Sequence, residues 1–133
     1  MTTFPRLLHS QQVHYIAKSF TYSDTGIDTG ILEFPASLPA NAHIIRTQVK
    51  INTAFAATTS NVLTIGTASG TANDIVTAGD INETVTGVTN VTGVGVISSS
   101  AEKKLYIKFT GAGTANTAGA AVAIIEYIPL NQP

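Results

Sequence analysis

The sequence predicts one all-β domain, a single jelly-roll-like β-sandwich of about eight antiparallel strands, on three observations. Residues 44–52, I-I-R-T-Q-V-K-I-N, set Ile45, Thr47, Val49 and Ile51 in alternation with Arg46, Gln48, Lys50 and Asn52. That period of two makes one face apolar and the other wet. The same period returns over residues 104–110, where Leu105, Ile107 and Phe109 interleave with Tyr106, Lys108 and Thr110. Between such runs lie stretches of Ala, Thr, Gly, Ser and Asn with hardly a charge, which suit turns and loops rather than helices.

Composition narrows the function. A chain of 133 residues is one domain of ordinary size and buries roughly two-thirds of its unfolded surface without a covalent staple. There is no cysteine, so disulfides and thiolate metal sites are ruled out. Charged residues make up 11% of the chain, against about 25% in ordinary globular domains. With a net charge of -1 no field draws the chain to nucleic acid or an anionic membrane. The longest apolar run is far short of the roughly 20 residues that span a bilayer. Sparse charge leaves a free monomer poorly protected from association, so much of the surface is expected to be covered in an assembly.

The elements follow in order. Residues 1–11 read as an arm and residues 12–133 as the β-sandwich domain: Phe4, Leu7 and Leu8 follow no sustained period, and Pro5 favours an extended start. The opening residues lack the apolar core and cleavage site of a secretory leader. Residues 12–22 form the first expected strand, with Ile16, Phe20 and Tyr22 alternating with Tyr15, Ala17, Ser19 and Thr21; the turn S-D-T-G-I-D-T-G follows. Residues 30–34 make a strand that stops at Pro35, and Pro35 and Pro39 stiffen the passage to the 44–52 strand. N-V-L-T-I-G at 61–66 is a short strand, and 75–78 and 81–86 are short strand candidates either side of Gly79-Asp80. The β-rich run from Val85 to Ile97 carries Gly87, Gly93 and Gly95, which invite bulges. Residues 120–128, A-A-V-A-I-I-E-Y-I, are apolar on both faces apart from Glu126, so that strand is central or covered on its outer side.

Nothing in the chain matches a catalytic pattern, and it is not expected to be an enzyme. His9, His14 and His43 lack the spacing of a metal site. Asp24 and Asp28, or Asp74, Asp80 and Glu83, could supply oxygens to Ca²⁺, but neither group has the EF-hand framework and turn formation explains them. There is no nucleophile elbow, and the Gly-rich runs are not phosphate loops. No cofactor, metal, nucleic acid or membrane is expected. Lys103 and Lys104 make a small basic spot that suits an acidic protein surface.

T-A-F-A-A-T-T-S-N-V-L-T-I-G-T at 53–67, D-I-V-T-A-G-D-I-N-E-T at 74–84, and K-L-Y-I-K-F-T-G-A-G-T-A-N-T-A-G-A-A-V-A-I-I-E-Y-I at 104–128 resemble the small head decoration, or cement, proteins of tailed bacteriophages. The resemblance covers residues 12–128 and rests on pattern and composition. It implies a virion structural protein, made in the bacterial host cytoplasm, that sits on the outer capsid surface. There it would clamp neighbouring subunits of the major capsid protein as a dimer or trimer. A head-fibre or tail-associated β-domain is the neighbouring alternative; a jelly-roll carbohydrate-binding module is the alternative of another class, and would show exposed aromatics on one sheet face.

The residues add expectations of their own. Ile45, Val49, Ile51, Leu105, Ile107, Phe109, Val122 and Ile124 should form the core. Phe4, Arg6, Leu7, Leu8, Phe55, Lys103 and Lys104 should contact the partner. Sparse charge and the doubly apolar last strand favour a homo-oligomer, a homotrimer ahead of a dimer.

Overall fold

The computed structural model describes residues 13–96, 101–114 and 116–129; the expected arm lies outside them. Seven strands run in the order β1 (His14–Thr21), β2 (Leu32–Glu33), β3 (Ala42–Thr53), β4 (Ser60–Gly66), β5 (Gly87–Val96), β6 (Tyr106–Ala112) and β7 (Ala120–Pro129). They form a four-stranded sheet, β1-β7-β3-β5, and a three-stranded sheet, β2-β6-β4. Every pairing is antiparallel. The chain changes sheet at each step from β1 to β4, and an isolated bridge, Ile65 to Val76, lies where a fourth strand would extend the smaller sheet. With that bridge counted as a vestigial strand, the order is that of the eight-stranded jelly roll.

The core fills the space between the sheets. Ile16, Phe20, Val49, Ile51 and Ile125 reach it from the larger sheet, and Leu63, Ile65, Ile107 and Phe109 from the smaller. The irregular passage from Ile27 to Leu38 contributes as well. It tracks β6 through Phe109 N–H to Ile27 O (2.9 Å), Phe34 N–H to Leu105 O (2.9 Å) and a paired bridge between Leu38 and Lys103. Ile27, Phe34 and Leu38 are buried by this tracking, although only two residues of the passage form a strand.

Three expected core residues face elsewhere. In β3 the register shifts between Ile44 and Arg46 against both neighbours. This bulge changes the parity of the strand: Ala42 and Ile44 point inward before it, Thr47, Val49 and Ile51 after it, and Ile45 is left half-exposed. In β7 the inward set is Ala121, Ala123 and Ile125, so Val122 and Ile124 are corrected to the outer face. Small side chains are needed inside, because Ala121 lies between Phe20 and Ile51 in the ladder, and Ala123 beside Val49. The strands expected at 75–78 and 81–86 do not form. Asp80 accepts from the Thr77 N–H (2.8 Å) and hydroxyl (3.0 Å), and Asn82 from the Thr84 hydroxyl (3.0 Å). Such local side-chain bonds compete with a sheet ladder.

Thr47 is 0% exposed and its hydroxyl has no partner. An unpaired buried hydroxyl costs free energy that an apolar group of the same shape does not. Thr47→Val keeps the β-branched shape and is expected to stabilise the fold by about 1 kcal/mol, read as a higher urea midpoint with an unchanged slope.

Candidate interaction surfaces

No concave pocket opens among the described residues, and no three His, Asp or Glu side chains among them are grouped to hold a metal ion. Of the carboxylates considered for Ca²⁺, Asp24, Asp74, Asp80 and Glu83 are instead bonded to backbone N–H groups. Asp24 accepts from the Thr21 N–H and hydroxyl (3.1 and 3.0 Å), Asp74 from those of Thr67 (2.8 and 2.6 Å), and Glu83 from the buried Leu63 N–H (2.7 Å). What the fold offers a partner is surface: two loop ends, the outer face of the large sheet, and the sheet edges.

At one end, the loops 54–59 and 113–119 are tied together. Thr114 N–H donates to Thr58 Oγ1 (2.8 Å), Ala56 N–H to Asn116 Oδ1 (2.7 Å), and Thr59 N–H to Ala112 O (2.9 Å). Neither loop carries a charge. Phe55 sits beneath this end at 2% exposure, stacked on Phe109 with centroids 4.5 Å apart. It is therefore corrected from a contact residue to a core residue; its ring reaches no partner while the domain is folded. At the opposite end Lys103 and Lys104 are exposed, and Lys104 Nζ lies 3.8 Å from Glu33. Burial thus separates Phe55 from the two lysines, and the remaining expected contacts, Phe4, Arg6, Leu7 and Leu8, lie outside the described residues.

The outer face of the large sheet mixes polar and apolar side chains. Arg46 Nε donates to Glu126 Oε1 at 3.0 Å. The register sets Tyr15 and Thr92 in the row of this pair, then Ala17, Ile124, Gln48 and Asn90, then Val122, Lys50 and Val88. Tyr15 is 70% exposed. The tyrosines do not make a platform: Tyr22 lies in the loop after β1, Tyr106 is in the other sheet, and Tyr127 stacks on His14 with centroids 5.6 Å apart.

The edges differ in a way the sequence conceals. The outer edge of β4 is closed at every second amide: Leu63 N–H goes to Glu83, Ile65 N–H to Val76 O (3.1 Å), and Thr67 N–H to Asp74, while the Asn61 amide side chain is engaged by Ala57. The edge strand β1 carries Lys18 on its core-facing side, between buried Ile16 and Phe20, and an inward-pointing charge discourages further pairing. β2 has two residues, with Pro35 close behind. β5 has ten residues and neither a charge nor a proline.

Fold and strand order together define a jelly-roll β-sandwich. The same fold occurs in phage capsids. A chain of the cyanophage Pam1 capsid asymmetric unit superposes with a TM-score of 0.56 at 15% identity, over 89% of this chain and 85% of that one. A chain of the acid-stable capsid of Helicobacter pylori bacteriophage KHP30 superposes with a TM-score of 0.61 at 11% identity, over 89% of each. At these identities the likeness is one of fold. No family model matches the sequence, and no curated protein does.

Proposed function

We propose that the protein is a structural component of a tailed-phage virion, a decoration protein that binds the outer capsid surface and clamps neighbouring major capsid protein subunits. The observation that carries this reading is the end-to-end likeness of the chain to chains of two phage capsids, with 85% and 89% of those chains covered. The surface chemistry supports it: sparse charge and an uncharged, braced loop end suit many weak contacts across a lattice joint. A protein that binds the assembled shell alone stabilises that shell by mass action. Lys103 and Lys104 supply a basic spot for an acidic patch of the partner, and self-association covers part of the remaining apolar surface.

The test is co-sedimentation of the purified protein with expanded heads, with precursor shells and with tails. Binding to expanded heads alone is expected, together with a rise in the temperature at which the heads open. Binding to tails, or to none of the three, sinks the proposal. The arm belongs to the same reading, because Phe4, Leu7 and Leu8 gain roughly 1.5–3 kcal/mol each when fully buried. Deleting residues 1–11 is expected to leave the melting temperature nearly unchanged and to weaken head binding by at least tenfold. Head binding that survives the deletion would move the contact to the loops 54–59 and 113–119.

A further inference from the structure

We infer that β5 is a self-pairing edge, through which two copies of the chain join by an antiparallel β5–β5 ladder centred on Asn90. The inference deepens the self-association within the proposed function by naming its surface. β5 lies at the end of the large sheet and pairs with β3 alone. Among the described residues it is the longest of the four sheet edges, and from Gly87 to Thr92 it carries no charge, proline or register shift, whereas β4 is closed by carboxylates and a backbone bridge, β1 by Lys18, and β2 by its length. A long unguarded edge is a template for another strand.

The occupant follows from the strand itself. Its pairing with β3 is regular from Gly87 to Thr92, and Gly87 and Gly93 take positive φ, 143° and 87°, which bounds the regular run at both ends. Asn90 is midway between these glycines. A twofold axis at Asn90 sets Val88 against Thr92, Thr89 against Val91, and Asn90 against Asn90 of the second copy. The flanking pairs are β-branched, the kind that stabilises antiparallel ladders, and no like charges meet. Val88, 56% exposed, gains a neighbour. A charged partner strand would find nothing to pair with in Gly87–Val96, whereas a second copy is neutral along its whole length. An isologous edge contact closes with two copies, so the edge favours a dimer over the trimer that composition suggests. Four strands from each copy then make one continuous sheet. So short a ladder buries less than a standard interface of about 800 Å² per partner, so the dimer is expected to be weak, at micromolar concentrations or above.

The chain has no cysteine, so single cysteines report pairing without background. Asn90→Cys in the full chain is expected to oxidise to a dimer at least tenfold faster than Ser19→Cys on β1, at the opposite edge. A cross-strand pair falls within the Cα separation that a disulfide needs. Asn90→Lys sets two ammonium groups opposite each other and is expected to weaken self-association at least tenfold in analytical ultracentrifugation, with an unchanged melting temperature. Equal oxidation rates overturn the inference, as does a trimer that persists in Asn90→Lys. Association that is lost on deleting residues 1–11 but kept in Asn90→Lys assigns the contact to the arm and overturns it too. A monomeric Asn90→Lys that still co-sediments with expanded heads supports the edge assignment and leaves the proposed function standing. A cross-linked Asn90→Cys dimer, with an uncross-linked protein that fails to bind heads, sinks the proposed function and supports the edge.

Discussion

Phe109→Ala is expected to lower the unfolding free energy by about 3–5 kcal/mol, seen as a large drop in the urea midpoint. Phe109 is buried in β6, opposite Leu63 of β4, and its ring stacks on Phe55 at 4.5 Å with the planes 26° apart. The loss combines the transfer of a large apolar side chain with the cavity left behind, and the cavity term depends on how far the walls can collapse. Here they are held. The Phe109 N–H is bonded to Ile27 O, and Phe55 is pinned by its own N–H to Glu83 O (2.9 Å). A Cβ on Gly119 would run into the Phe55 ring, and one on Gly111 would meet Ala57 at 2.9 Å and the Phe109 ring at 3.2 Å. With backbone this close on two sides, the ring space cannot be refilled by a small side-chain shift. An unmoved midpoint would mean that the inward phase assigned to β6 is wrong.

The same residues show which parts of the fold were legible in the sequence. Phase was readable where polar and apolar side chains alternate, as in β6 and in β3 from Thr47 onward. It was unreadable in β7, because an apolar run on both faces carries no period, and which set turns inward was decided by volume: alanines face Phe20, Val49 and Ile51. At Ile44-Ile45 either isoleucine satisfies the pattern, and the bulge that selects Ile44 is a property of pairing with β7 and β5. Phe55 looked like a loop residue because Ala and Thr surround it, and those small residues are what let the loops 54–59 and 113–119 close over its ring. Ile27, Phe34 and Leu38 were hidden for a related reason: they are buried by tracking β6, with hardly any ladder of their own.

The interaction surfaces were less legible still. Which strands form edges depends on strand order, and β5 is an edge because the order of the large sheet ends with it. Nothing local in G-V-T-N-V-T-G distinguishes an edge from a central strand. The acidic residues mislead in the opposite direction. Asp74, Asp80 and Glu83 form a cluster in sequence that suggests a cation site, yet Asp74 and Glu83 close the outer edge of β4 and Asp80 holds a turn. The missing fourth strand of the small sheet explains this use. Where a jelly roll ordinarily pairs another strand with β4, this chain supplies one bridge and two carboxylates.

Glu83 carries the most of that substitution, and Glu83→Ala is expected to cost about 2–3 kcal/mol. Its carboxylate is buried and accepts the Leu63 N–H at 2.7 Å, while its carbonyl holds Phe55. Truncation leaves the Leu63 amide unpaired in the interior, and losing the partner of a buried donor carries that donor's full desolvation penalty. Glu83→Gln keeps an oxygen in place and is expected to cost about 1 kcal/mol, the difference between a charge-assisted and a neutral hydrogen bond. The two variants separate the hydrogen bond from the packing, because both retain the backbone contact to Phe55. On partial unfolding, the loss of the carboxylate also leaves this β4 amide without its cap, so the edge of the small sheet is unguarded once it is exposed. Glu83→Ala is therefore expected to aggregate on heating at concentrations where Glu83→Gln refolds, which turbidity during a thermal ramp reads directly. Equal midpoints for the two variants would show that the carboxylate does not close the edge.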